Sequence, residues 1–132
     1  MYGYKFVDTN VILRWLLNDH PEMSRQAWEL IKKGETREDE LYITDVVLGE
    51  LFYVLRSKQH DNTEIAEIFN DLLERPAFIF DQESRLSLLF DIIGGTKLDF
   101  ADCYLISRAI FSKQPLKTFD KAMQKAYDKY RR

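Results

Sequence analysis

The sequence predicts an α/β fold: a three-layer α/β/α sandwich on a mainly parallel sheet, with four strands readable directly and a fifth considered below. Two observations carry this. Short runs rich in Phe, Ile, Tyr and Val alternate with longer segments of helical periodicity, and strands that alternate with helices pair in parallel and are covered on both faces. Breakers mark the ends of helical segments, as at Gly34, Pro76 and Gly94-Gly95. With 132 residues, 45% of them hydrophobic and 31% charged, the chain is sized for one domain (residues 1–132) with its own core.

The elements follow in order. Tyr4-Lys5-Phe6-Val7 reads as a strand ending at Asp8. Thr9 or Asn10 then caps a helix through Val11–Leu17. Asp19-His20-Pro21 opens a second helix, with Pro21 tolerated in its first turn, and this helix stops at Gly34. The polar run Glu35–Glu40 is a loop, and Leu41-Tyr42-Ile43 a second strand. Thr44 or Asp45 caps a third helix reaching Gln59, and a fourth runs from Asn62 to just before Pro76. Ala77–Phe80 is a third strand. Glu83–Ile93 is a fifth helix closed by Gly94-Gly95, and Asp99–Ser112 a sixth. Leu116-Lys117-Thr118-Phe119 is a fourth strand, and Lys121–Tyr130 the last helix.

Composition excludes several function classes. A single cysteine, Cys103, rules out an intrachain disulfide, fits a reducing compartment and sits among apolar residues as a small buried hydrophobe. The start, Met1-Tyr2-Gly3-Tyr4-Lys5, has no basic stretch followed by an apolar run, so no signal peptide is expected. No apolar run approaches the ~18 residues of a membrane span. A cytoplasmic protein is the expectation. Net charge is −3, but residues 113–132 carry seven basic and two acidic residues, which leaves the rest at −8. Lys121, Lys125 and Lys129 recur every fourth residue and share one helix face. That face is either a solvated surface or an edge that meets phosphates.

The chemistry lies in the acids. Asp8 and Asp120 each end a predicted strand and precede a helix, where capping, worth about 1 kcal/mol, competes with a functional role. On the third helix, Val47, Leu51, Val54 and Leu55 mark an apolar side, and Glu50 falls on that arc between Val46 and Val54. A buried unpaired carboxylate costs several kcal/mol. On the sixth helix, Asp102 shares a side with Leu105, Ile106 and Ala109. Asp99 lies on much the same side but can cap the helix. If these acids converge they need a cation, and an all-oxygen, thiolate-free set suits Mg²⁺ or Mn²⁺. His20 and His60, the two histidines, lie near helix ends among polar residues and give zinc little support.

Four motifs carry a family resemblance. Val7-Asp8-Thr9-Asn10, Val47-Leu48-Gly49-Glu50-Leu51, Asp99-Phe100-Ala101-Asp102 with the apolar stretch after it, and Thr118-Phe119-Asp120 follow the order of the PIN-domain signatures. The start at Asp19-His20-Pro21-Glu22 and the chain length resemble the VapC-type toxin ribonucleases of VapBC toxin–antitoxin pairs. The resemblance implies a metal-dependent endoribonuclease. Asp8, Glu50, Asp102 and Asp120 would be its catalytic and metal-binding acids, Asp99 an auxiliary acid, and Asn10, Thr118 and Thr9 the groups that orient them. It also implies an RNA substrate, a small antitoxin partner and a homodimer. In one respect the chain departs from the family: Lys121–Arg132 has helical composition where many PIN domains continue into a final edge strand.

Three other readings compete. A phosphatase with an aspartyl nucleophile at Asp8 would usually carry a second aspartate two residues on, and that position holds Asn10. A PIN-like module that binds RNA or protein without cutting, or a PIN nuclease of RNA processing, would share the same fold.

Overall fold

A computed structural model describes residues 3–132. Met1 and Tyr2, part of the stretch read above for a leader, lie outside the described residues. The element order is β1 (Gly3–Phe6), α1 (Thr9–Leu17), α2 (Pro21–Glu35), β2 (Asp39–Ile43), α3 (Asp45–Ser57), α4 (Asn62–Glu74), β3 (Phe78–Phe80), α5 (Glu83–Gly95), α6 (Phe100–Phe111) and α7 (Lys121–Tyr130). The fold is α/β with a parallel sheet, as the alternation predicts. Among the described residues no helix is long and apolar enough to cross a membrane.

The sheet has three strands, in the order β1-β2-β3, all parallel. Each crossover is helical, as parallel pairing requires. The expected fourth strand, Leu116–Phe119, is not one: the segment is irregular, with Leu116 buried and Phe119 fully exposed. Its sequence explains this. Pro115 brings no N–H to a ladder, and the Thr118 hydroxyl accepts the Asp120 N–H at 3.0 Å, a local bond that competes with strand pairing. The sheet of four to five strands is therefore corrected to three among the described residues.

The chain forms two compact units. The first comprises residues 1–51 and 71–81, the second 52–70 and 82–132. The first holds the sheet with α1 and α2. Leu41 and Ile43 of β2 and Phe78 of β3 are buried there with Ile12, Leu13 and Ile31 of the two helices. Gly34 permits close packing near the end of α2, because a Cβ there would meet the Ala77 Cβ at 3.1 Å and the Asp39 carbonyl at 3.3 Å. α1 ends at Asn18 in the left-handed conformation, where asparagine is tolerated.

In the second unit, Phe52, Phe69 and Phe90 are fully buried, with Phe69 and Phe90 in ring contact at 5.3 Å. Asp61 and Glu64 form a reciprocal capping box at the start of α4. Asn62, also buried, donates to the carbonyls of Thr96 and Leu98 and so ties the loop before α6 to α4. That tie fixes where Asp99 begins its helix.

Candidate active site

Because β1, β2 and β3 are parallel, their carboxyl ends lie at one edge of the sheet, where α/β folds place their reactive groups. Asp8 stands there, two residues beyond β1. It caps α1: Oδ1 accepts the Val11 N–H at 3.2 Å. The sequence offers Thr9 or Asn10 for that cap. Asp8 takes the duty instead, and the Thr9 hydroxyl donates to Glu50 Oε1 at 2.9 Å. Asn10 is exposed beside Asp8.

Glu50 does not face a core. The buried side of α3 is Val47, Leu48, Leu51, Phe52 and Leu55, and Glu50 falls on the opposite side with exposed Val46 (73%) and Tyr53 (46%). The buried side runs through Leu48 and Phe52 rather than along the arc drawn through Val46 and Val54. Glu50 is thus an exposed acid held by a single hydroxyl.

The second unit holds the other acids. Asp99 caps α6, its Oδ1 accepting the Asp102 N–H at 3.0 Å. Asp120 caps α7, its Oδ1 accepting from the N–H groups of Ala122 at 2.8 Å and Met123 at 3.1 Å. The Thr118 hydroxyl accepts the Asp120 backbone N–H at 3.0 Å. Asp102 is half-buried. Burial raises its pKa above the usual carboxylate range, the negative charges of Asp99 and Asp120 raise it further, and no lysine or arginine is among the groups acting on it. The structure therefore brings Asp99, Asp102 and Asp120 into one electrostatic group, and pairs Glu50 with Thr9.

Asp8 and Asp120 divide their oxygens in the same way. In each the helix takes Oδ1, and Oδ2 carries no protein hydrogen bond among the described residues. An oxygen beside a helix start, free of protein donors, is available to a hard cation. Among the described residues no three His, Cys, Asp or Glu lie close enough together to hold a metal ion. The donor set fits Mg²⁺ or Mn²⁺ in its chemistry: all oxygen, with mutual repulsion that a cation would relieve.

A model of the PIN domain family matches residues 5–129. The chain belongs to the PIN-domain family. No curated protein and no solved structure matches it. PIN domains are generally nucleases, hence hydrolases, and typically use divalent metals. The matched stretch spans Asp8, Glu50, Asp102 and Asp120.

Sequence reasoning missed a further acid at the same sheet edge. Asp81 directly follows β3, accepts the Tyr42 hydroxyl at 2.7 Å and takes the Asp45 N–H at 2.9 Å. It raises the Tyr42 pKa, mainly through that hydrogen bond. The strand-end rule that picked out Asp8 would have found it. Its partners give it a structural duty, tying β3 to the start of α3.

Proposed function

We propose that this PIN domain is a metal-dependent endoribonuclease acting as the toxin of a toxin–antitoxin pair. The observation that supports this best is Asp102, a half-buried carboxyl whose pKa is raised by burial and by the negative charges of Asp99 and Asp120. A cation beside it would relieve that repulsion.

On their motif roles, Asp8, Asp102 and Asp120 would hold a Mg²⁺ or Mn²⁺ ion with Asp99 as an auxiliary, and the ion would supply positive charge to acidify a water and to offset charge on the departing 3′ oxygen. Asp8 and Asp120 can serve through Oδ2 while Oδ1 keeps its helix cap. Glu50 has one oxygen fixed by Thr9, and its other oxygen is left to take a proton from the attacking water or to orient it. Lys121, Lys125 and Lys129 are exposed on α7 and would attract the RNA backbone. The partners proposed with this activity are a small antitoxin and a second copy of the chain.

End analysis of the fragments tests the reaction. Purified protein with single-stranded RNA should leave 5′-phosphate and 3′-hydroxyl ends in Mg²⁺ or Mn²⁺, and cut nothing in EDTA. A 2′,3′-cyclic phosphate, or cutting in EDTA, rules out this chemistry. A second reading is a module that binds without cutting. It draws on the lack, among the described residues, of three acids close enough to hold a metal. Uncut RNA retained by the protein in Mn²⁺ would favour it.

A further inference from the structure

A pocket of about 230 Å³ opens beside Asp8 between α1 and α2, wholly within the first unit. Asp8, Asn10 and Arg14 line it from the α1 side, and Met23, Gln26 and Leu30 from α2. Its chemistry is mixed in an ordered way. Met23, half-exposed, and Leu30 offer an apolar wall. Arg14 is the cation of the lining, and its guanidinium is braced by Asp19 at 2.7 Å. Gln26 donates from Nε2 to Glu22 at 3.2 Å, which fixes the amide and leaves its carbonyl oxygen to accept. Asn10 adds a second amide.

We propose that this pocket seats one nucleobase of the RNA, next to the bond that is cut. The proposal rests on the nuclease reading and names a subsite for its substrate. Three arguments select a base. The volume lies below the ~300–1,000 Å³ of a drug-sized pocket, and a peptide helix about 10–12 Å across cannot enter it. A single planar ring can. The Met23 thioether suits the face of such a ring, while paired amide donors and acceptors match a base edge rather than an aliphatic side chain. The charges are also complementary. Asp8 marks the reacting end, and Arg14, braced by Asp19, supplies a cation for the backbone phosphate of the seated nucleotide. Met23 and Gln26 are therefore specificity-determining residues for the cut site.

The test uses the whole chain with carbon-13 methyl-labelled methionines, free of metal, titrated with AMP, CMP, GMP and UMP. The Met23 methyl, assigned through Met23→Leu, should shift saturably with at least one nucleotide and more than with inorganic phosphate. Met123, on the buried side of α7, is the fixed control. Gln26→Ala should weaken that binding several-fold. In cleavage, Gln26→Ala and Met23→Ala should change the base preferred at the cut site and raise KM for RNA that carries the preferred base. No Met23 shift at millimolar nucleotide, or a shift equal to that of phosphate alone, overturns the proposal. So does a shift with N-acetyl-leucinamide and none with nucleotides, which would assign the pocket to a protein partner. Failure of the nuclease reading looks different: the parent chain cuts nothing, yet the nucleotide titration still succeeds.

Discussion

Asp120 holds a helix and offers an oxygen at once, and the two duties can be separated by substitution. Asp120→Asn keeps a side-chain acceptor for the Ala122 and Met123 N–H groups, so stability should hold while cleavage is lost. Asp120→Ala should lose cleavage and also about 1 kcal/mol of stability, the usual cost of an N-cap. Equal stability of the two variants in urea unfolding would show that the cap contributes nothing. Capping and metal binding stand as rival explanations for Asp8 and Asp120 when only the sequence is read. The geometry makes them compatible, since each carboxylate has two oxygens. Thr9→Val should unpin Glu50 and slow cleavage without a loss of fold. An unchanged rate would leave Glu50 indifferent to its Thr9 bond. Cys103 is a different case: it is fully buried, and burial pushes its thiol up to about 11. Thiol reagents at pH 8 should label it only on unfolding. Because the thiol ionises first in the unfolded chain, its contribution to stability should fall as pH rises from ~8.5 towards 11. Rapid labelling of the native protein would contradict that burial.

The elements show which signals a sequence carries well. Helix starts are legible because their side chains advertise them: His20 caps α2 before Pro21, and Thr44 caps α3. The strand-end rule finds Asp8, and Asp81 obeys it too, though it went unnoticed. Glu50 stands out only on a helical wheel drawn through the wrong side of α3. Its Thr9 bond, between residues 41 apart in sequence, has no local signature. Leu116–Phe119 reads as a strand from its composition, but Pro115 and the Thr118–Asp120 bond act against pairing. α7 has the bounds the sequence sets, and its lysines form the basic face expected of them. Changing Lys121, Lys125 and Lys129 together to Gln should weaken RNA binding and flatten its salt dependence. The slope should fall by roughly 0.7 for each phosphate of a single strand that the variant no longer neutralises. The rate at saturating RNA should persist. A salt slope equal to that of the parent would remove RNA from this face.

At the scale of the molecule, charge is the clearest organising feature. A net −3 hides a positive last 20 residues, which also contain Asp120, and a remainder at −8. Repulsion among the acids has a measurable cost in the absence of a cation. Asp102→Asn removes one of the three negative charges in its group, so at neutral pH in EDTA its Tm should equal or exceed that of the parent. The central claim is that these acids hold a divalent ion used to cut RNA. Its most direct test is the cleavage rate of a single-stranded RNA across a Mn²⁺ titration, parent and Asp102→Asn side by side. The account predicts a saturable, EDTA-reversible rate for the parent and loss of at least 100-fold for a correctly folded Asp102→Asn, roughly the scale on which a metal-site group matters. A parent rate indifferent to Mn²⁺, or an Asp102→Asn rate equal to the parent's, would contradict it.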